Sequence, residues 1–374
     1  MRTIIVPALA LVLIGSRGDA QGALSTQGLG YPPGQMSARA EATGGAVADF
    51  DPLSLVSPAA IAGVGSSALF FQYAPEFRRV TAGSGTANTT TARFPLVAGI
   101  LPLGQAWTLG LSSSTFLDRS SKTSLVRRPL VGADTVNETE ATKVLGAIND
   151  VRLALAWAGS PKLRIGGGLH VFSGSNRVTL SQLFPDSAKY TSTSQSATLS
   201  FTGFAASAGI EFHPSRVIGF AIAGRKGGDL RVASGDTTIG RGRLPDHYSA
   251  SVSYDGITGA NISARVAHDN WSSLSSIGTT VQGFDAWDYS VGGEASGPRV
   301  MQRIIVMRAG ARFRTLPFGF NGQKVSETSF MGGIGVPLAR DRAALDFTVQ
   351  RAARSAGGVN ERGLILSFGL RVSP

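Results

Sequence analysis

The chain lacks cysteine and has little of the chemistry that enzymes and metal proteins use. Its 374 residues include no cysteine, four histidines and only 16% charged side chains. The absence of cysteine excludes disulfides, thiolate nucleophiles and thiolate metal ligands. No two of the histidines have metal-ligand spacing. The sequence therefore predicts no metal site and no cofactor; the four histidines are His170, His213, His247 and His268.

Familiar catalytic motifs are also missing. There is no G-x-S-x-G, no P-loop and no H-E-x-x-H. Serine is abundant, and a triad is defined by space rather than by sequence, which leaves a serine-hydrolase site open. The prediction is that the chain is not an enzyme.

Long hydrophobic runs are absent as well. Arg2, the apolar stretch Ile4 to Ile14 and the small residues Gly18-Asp19-Ala20 form a cleavable export signal covering residues 1–20. Its apolar stretch is shorter than the roughly 20 residues that a spanning helix needs. Later apolar stretches are broken by Pro, Gly, Ser or Arg. The hydrophobic share of 43% and the 48 glycines instead favour a β protein with many turns.

The sequence does show a regular alternation of apolar residues with small or polar ones. From Leu364 to Val372 every second residue is apolar, and those between are mostly small or polar, as in a strand with different surroundings on its two faces. A transmembrane barrel needs this pattern, because lipid contacts one face and the lumen the other. The sequence predicts an all-β transmembrane antiparallel barrel over residues 66–374. Its fourteen strands are Ser66–Ala74, Thr91–Leu101, Ala106–Leu117, Ala147–Ala158, Lys162–Ser173, Ala197–Phe212, Arg216–Gly224, Asp246–Tyr254, Thr258–His268, Ala286–Ala295, Val300–Arg314, Glu327–Val336, Ala343–Ala353 and Arg362–Val372.

The connections between these strands alternate in length. Short turns are predicted at residues 102–105, 159–161, 213–215, 255–257, 296–298 and 337–342. Long loops, such as Asp118 to Gly146 and Gly174 to Ser196, lie between them. Barrels of the bacterial outer membrane have short periplasmic turns and long outer loops, so we expect an even number of strands, both termini in the periplasm and an outer-membrane location.

Five aromatic residues lie near predicted strand ends, where membrane interfaces favour them. By alternation all five face lipid, although a soluble sandwich could place them in its core. They are Trp107, Trp157, Tyr254, Trp287 and Tyr289.

The inward positions carry charges of both signs. They are either lumen residues paired with each other or with a plug, or an electropositive track for an acidic head group. The lumen candidates are Arg152, Arg164, Asp288, Glu294, Arg308, Arg312, Arg314 and Asp346, with Asp150 and His170 on the same faces. The net charge of +11 is expected to favour anionic lipid rather than nucleic acid, because export separates the chain from nucleic acid.

Residues 21–65 do not have strand periodicity. Their apolar residues Phe50, Leu53, Leu55, Val56 and Ile61 need burial, and the lumen is the space available. This segment is therefore predicted to be an N-terminal hatch; its candidate residues are Gly44, Gly45, Ala46, Asp49, Ser57, Pro58 and Ala59.

The run Ala38 to Asp49, followed by Leu55-Val56-Ser57-Pro58-Ala59-Ala60-Ile61, resembles the hatch of the long-chain fatty-acid outer-membrane transporters (FadL-type). Leu244-Pro245 and the following Ser251 to Tyr254 are similar to the same family's Leu-Pro lead into a strand. Ser57 stands where that family usually has Asn. In length the chain is closer to the related shuttle barrels of type IX secretion (PorV-type).

The resemblance implies that small hydrophobic, fatty-acid-like compounds pass a hatch-blocked lumen and leave sideways through the wall. The alternatives are a barrel that binds or shuttles secreted proteins, and a structural or diffusion porin. Expected partners are outer-membrane lipid, a small hydrophobic ligand or a secreted protein, and the barrel insertion machinery. The chain is expected to be a monomer. In the hatch, Gly44 and Gly45 either allow movement or pack a static plug, and Pro58 stiffens the approach to the first strand.

Overall fold

The computed structural model describes residues 24–25, 27–82, 85–131, 134–185, 189–277, 282–300, 303–339 and 342–373. The predicted signal peptide, residues 1–20, lies outside these residues. No helix among them is long and apolar enough to cross a membrane.

Eighteen strands make up most of the described chain. They are β1 (Ala68–Ala82), β2 (Gly85–Leu103), β3 (Trp107–Asp118), β4 (Ser121–Arg127), β5 (Leu130–Val131), β6 (Asp134–Thr135), β7 (Glu138–Ser160), β8 (Leu163–Leu183), β9 (Thr193–Phe212), β10 (Ile218–Ser234), β11 (Thr237–Arg243), β12 (His247–Ile257), β13 (Ala260–Asp269), β14 (Ala286–Val300), β15 (Arg303–Thr315), β16 (Ser326–Leu338), β17 (Ala343–Ala356) and β18 (Val359–Val372).

Fourteen of these strands form a closed antiparallel barrel. Each pairs with its neighbours along the chain, and β1 pairs with β18 from Leu69–Val372 to Ala82–Val359, which closes the sheet on itself. The remaining four, β4, β5, β6 and β11, belong to connections at one end. We call this the loop end, and the opposite end the turn end. The predicted fourteen-strand barrel is confirmed.

Side chains alternate between lumen and exterior as predicted. Trp107, Trp157 and Trp287 are 47%, 38% and 47% exposed on the outer face, where Tyr254 and Tyr289 also lie. Apolar residues such as Leu111, Ile222 and Phe330 cover the rest of this face, which we call the apolar belt. Such a surface suits contact with lipid rather than water.

Two sequence expectations were wrong in extent. The long loops predicted at Asp118–Gly146 and Gly174–Ser196 are largely strand, because β7, β8 and β9 continue their ladder past the apolar belt. The turns predicted at residues 255–257 and 296–298 lie within β12 and β14, and β14 continues to Val300 despite Pro298.

Residues 27–65, which we call the N-terminal segment, run through the lumen. The segment contains helix α1 (Ala38–Ala42) and the 3-10 helix η1 (Ala59–Gly63). Ser37 caps α1, accepting a hydrogen bond from the Ala40 N–H at 3.2 Å. A second 3-10 helix, η2 (Trp271–Ile277), lies in the loop between β13 and β14. Leu53, Leu55 and Ile61 pack on β1, β2 and β7 near the turn end, so the lumen supplies the burial they need.

Candidate functional site

Polar side chains fix the N-terminal segment to the barrel wall. Arg39 binds Glu294 of β14 through two hydrogen bonds of 2.8 and 2.6 Å. The fully buried carboxylate of Asp49 accepts hydrogen bonds from Ser249, Ser251 and Arg265. These contacts hold this part of the segment against β12, β13 and β14.

The predicted hatch residues lie at close backbone contacts. Gly44 has φ +74°, and a Cβ there would be 2.7 Å from the Ala311 carbonyl of β15. Gly45 has φ +89° and approaches Met36, while Ala46 is fully buried. The left-handed backbone and the close contact both require glycine at these two positions in the resting structure.

Ser57, Pro58 and Ala59 contact β8 and β9 where the wall carries glycine. A Cβ at Gly166 would be 2.5 Å from the Pro58 carbonyl, and one at Gly209 would be 2.6 Å from Ser57 Oγ. These inward-facing glycines make room for the segment.

The predicted lumen charges all face the interior, and most are paired. Arg308 binds Glu294 and Asp346 at 2.6 Å each, Arg312 binds Asp288, and Arg314 binds Glu327 at 2.6 Å. Arg164 pairs with Glu211. The electropositive track is therefore wrong for the arginine row of β15, because neighbouring carboxylates neutralise it. Arg152 differs: it is buried, and its Nε and Nη1 have no hydrogen-bond partner in the described chain.

Eight buried side chains form a charge-balanced ion network across the seam between β1 and β18. Arg354 contacts Glu76, Glu327 and Glu361 at 2.9, 2.6 and 2.5 Å, and Glu76 also binds Arg78 and Arg93. The four arginines are Arg78, Arg93, Arg314 and Arg354, and the four carboxylates are Glu76, Asp118, Glu327 and Glu361.

Tyr31 of the N-terminal segment lies at the centre of this network. The guanidinium groups of Arg93, Arg314 and Arg354 lie 5.3, 5.1 and 4.5 Å from its ring centroid. Its hydroxyl donates to Glu327 at 3.0 Å. Burial raises the pKa of Tyr31, so the phenol stays protonated.

Aromatic and aliphatic side chains fill the lumen at the loop end. Phe116 of β3 packs edge-on against Phe172 at 4.8 Å between centroids and stacks on Trp271 at 5.2 Å. Leu29 and Phe318 join them. This loop-end apolar cluster borders a cavity of about 80 Å³, whose lining includes Phe116, Trp271, Met36, His170, Ser207 and Arg225.

The barrel wall has a gap beside Phe116. The ladder between β2 and β3 ends at the pair Leu96–Ser114. The part of β2 from Gly85 to Pro95 pairs, within the described chain, only with β1. The reason lies in the sequence: Pro95 has no N–H to donate, and a bulge in β3 leaves Ser114 to Asp118 all buried instead of alternating. The end of β3 therefore bends into the lumen.

Tyr31 partly fills the wall gap. Its N–H and C=O bond to Asp118 at 2.8 and 2.9 Å, so the N-terminal segment takes a strand position beside β3. Gly30 allows this approach with φ +117°, since a Cβ there would be 2.5 Å from the Asp118 carbonyl. Arg93 of β2 binds the Asp118 carboxylate across the gap. The closure thus depends on one backbone bridge and one ion pair.

Asp150, His170 and Ser207 have the hydrogen-bond order of a catalytic triad. His170 Nδ1 is 2.8 Å from Asp150, and Nε2 is 2.8 Å from Ser207 Oγ. Ser207 pairs with Gly168 of β8 and with Arg225 of β10, so its backbone lies within the sheet. Gln35 also donates to Asp150, at 2.8 Å. The arrangement thus links the N-terminal segment to β7, β8 and β9 by hydrogen bonds.

Neither a protein-family model nor a curated protein matches the sequence. Solved structures do match the fold. A crystal structure of a Pseudomonas aeruginosa FadL homologue aligns with a TM-score of 0.63 at 14% identity, over 94% of this chain and 100% of that one. The fold is FadL-type.

Two toluene transporters share the FadL-type fold with this chain. TodX of Pseudomonas putida aligns with a TM-score of 0.58 at 11% identity, over 91% of this chain and 99% of that one. TbuX of Ralstonia pickettii aligns with a TM-score of 0.57 at 12% identity, over 91% and 98%. The resemblance predicted from the hatch motif is thus confirmed for the fold.

Sequence reasoning missed the residues that close the wall of this FadL-type barrel. Tyr31 and Gln35 lie in a segment without periodicity, and Glu76 lies beyond the predicted end of the first strand. The charges Glu76 and Arg78 at alternate positions after Ala74 were a usable signal, which Pro75 obscured.

Proposed function

We propose that the chain is an outer-membrane channel for small hydrophobic compounds, and that it is not an enzyme. The compound binds in the loop-end apolar cluster, passes Phe116 and leaves through the wall gap into the bilayer. The N-terminal segment acts as the hatch that closes the lumen. The turn end faces the periplasm, and residues 1–20 are removed on export.

Phe116 carries this proposal, because it belongs to both parts of the route. Its ring lies in the loop-end apolar cluster, and its backbone forms the β3 bulge that follows the last β2–β3 pair. A solute bound against this ring is next to the point where the β2–β3 ladder ends. Lateral exit suits an apolar solute, which partitions into hydrocarbon more favourably than into water.

The depth of the wall gap supports exit into lipid. Thr90 of β2 pairs with Phe77 of β1, whose side chain is still part of the apolar belt. Residues 91–95 therefore lie within the belt, yet they have no strand partner on their β3 side. Unpaired backbone is costly in hydrocarbon, so a cover such as Tyr31 is needed when no compound passes.

The resting structure is closed. The cavity of about 80 Å³ beside Phe116 is smaller than the roughly 150 Å³ that holds benzene in an apolar protein interior. Passage therefore requires the N-terminal segment to shift. The structural neighbours described as toluene transporters and as a monoaromatic hydrocarbon channel support this class of compound.

A reversible cross-link tests the lateral exit. Pro95→Cys with Thr115→Cys extends the β2–β3 ladder by one step beyond its last pair, and no native cysteine interferes. Ala98→Cys with Ser112→Cys, an existing pair in the closed ladder, is the matched control. We expect oxidation to stop uptake of labelled toluene or oleate only in the first protein, and reduction to restore it. Unchanged uptake with the cross-link verified by mass would exclude this exit.

Native mass spectrometry of the protein extracted from its own membrane tests the class of cargo. A small apolar adduct that is lost on Phe116→Asp would support the channel. A protein-sized adduct would instead favour the secretion shuttle.

A further inference from the structure

Three arginines lie together on the outside of the barrel. Arg79 of β1 pairs directly with Arg362 of β18, and both side chains point outward. Arg351 of β17 pairs with Leu364, two residues from Arg362 on the same face. Side chains directly opposite on neighbouring strands are about 5 Å apart at Cβ, and diagonal neighbours about 7 Å. We call these three residues the arginine patch.

The arginine patch marks the edge of the apolar belt toward the loop end. On β18 the outward residues from Val372 to Leu364 are apolar, and the next one is Arg362. On β1 they end at Phe77, before Arg79. The outward residues beyond the patch are polar, for example Thr81 and Asn360. This boundary is the depth at which lipid head groups meet a barrel.

The patch has no acidic partner within the described chain. No carboxylate there lies within 4.0 Å of a guanidinium of Arg79, Arg351 or Arg362, and none of the three donates a hydrogen bond to another described group. The arginine row of β15, in contrast, is neutralised in the lumen. Like charges directly opposite on adjacent strands repel. An anion from outside the chain would relieve this repulsion.

The space around the patch fits an amphiphile. An open groove of about 520 Å³ is lined by the three arginines, by the apolar side chains of Phe77 and Leu364, and by the polar Asn88 and Thr90. Guanidinium groups bind phosphate through two parallel hydrogen bonds. Phe77 and Leu364 continue into the apolar belt, where acyl chains lie.

We propose that the arginine patch binds the head group of an outer-leaflet glycolipid that carries phosphate monoesters. A monoester brings a charge of about −1.5 to −2 at neutral pH, which matches three clustered arginines better than the single charge of a phosphodiester. The loop end faces the outer leaflet in the membrane orientation given under Proposed function, and the inference rests on that orientation. It does not depend on what the channel carries.

The test measures lipid retention by the full-length barrel in micelles. Wild type, Arg79→Gln/Arg362→Gln and a control with the same loss of charge, Arg177→Gln/Arg299→Gln, are incubated with bisphosphorylated lipid A or with phosphatidylglycerol and analysed by native mass spectrometry. We expect the patch variant to retain lipid A at least tenfold less than wild type and the control. We expect all three proteins to retain phosphatidylglycerol equally weakly.

Equal retention of lipid A by wild type and the patch variant would overturn the proposal. Displacement of lipid A by inorganic phosphate alone would also overturn it, because the site would then bind an adventitious ion only. A shift in migration between boiled and unboiled samples shows that each variant has folded. Toluene uptake should be unchanged in the patch variant, so a failure of this proposal is distinct from a failure of the proposed function.

Discussion

Arg354 has a fully buried side chain and still carries its charge among three glutamates. A buried arginine is stable only if its donors are used, and Arg354 meets this condition through Glu76, Glu327, Glu361 and the Tyr31 hydroxyl at 3.0 Å. The same network holds Tyr31 in the wall gap. Arg354 therefore links the stability of the β1–β18 seam to closure of the wall gap.

Replacing Arg354 by methionine should destabilise the barrel, because buried Glu361 loses its arginine partner and Glu76 and Glu327 each lose one of theirs. We expect a loss of about 3–5 kcal/mol in the free energy of unfolding, measured by urea titration in lipid vesicles. Arg177→Met, at an exposed position of β8, should change it by less than about 0.5 kcal/mol. A similar small effect at both positions would contradict the role of the network.

A substitution at Gly166 tests whether the absence of a side chain there makes room for the N-terminal segment. Gly166→Ala places a methyl group 2.5 Å from the Pro58 carbonyl, whereas Gly167→Ala meets only the Ser207 carbonyl, at 3.9 Å. Hydrogen exchange of residues 57–63 should rise in the first variant alone. Equal protection in both would mean that the segment does not lie against β8.

At the scale of elements, strand existence could be read from the sequence, but strand ends could not. All fourteen barrel strands follow from alternation, because each has one face on lipid. The strand extensions past the apolar belt have polar residues on both faces, so they do not show the alternation of apolar and polar residues. Pro75 also obscured the continuation of β1. The wall gap depends on which strand fails to pair, and the path of the N-terminal segment depends on packing. The period-two pattern of the sequence contains neither kind of information.

The buried carboxyl of Glu41 predicts that docking of helix α1 depends on pH. Glu41 Oε2 is inaccessible to solvent and has no hydrogen-bond partner among the described side chains. Burial raises the pKa of Glu41 to about 7 from 4.5, although Ser367 and the positive charges of Arg312 and Arg93 act the other way. Between pH 4.5 and about 7, the Glu41 carboxyl is therefore protonated in the docked segment and ionised in a released segment. Docking is stabilised at low pH and weakens as the pH rises through about 7.

Hydrogen exchange of residues 38–45, corrected for intrinsic rates, checks this expectation. In wild type, protection should fall between pH 5 and pH 8. In Glu41→Gln, which stays neutral, it should not change over that range. The same fall in both proteins would assign the effect to another group.

At the scale of the whole molecule, the fold predicts which tryptophans contact lipid. Trp107, Trp157 and Trp287 lie on the outer face, whereas Trp271 is 3% exposed inside the loop end. In variants that keep one tryptophan, lipids brominated near the ester should quench fluorescence strongly at the three outer positions and weakly at Trp271. Strong quenching of Trp271 alone would place the barrel inside out.

The pairing of β1 with β18 also fixes an order of assembly. Closure needs β18, while residues 27–65 precede the barrel strands in the sequence and are tethered to β1. The lumen contents are thus present while the wall is still open, and the final strand encloses them. No threading through a finished pore is required, so a barrel that refolds after proteolytic loss of residues 27–65 should not recover its filling from the same fragment added later.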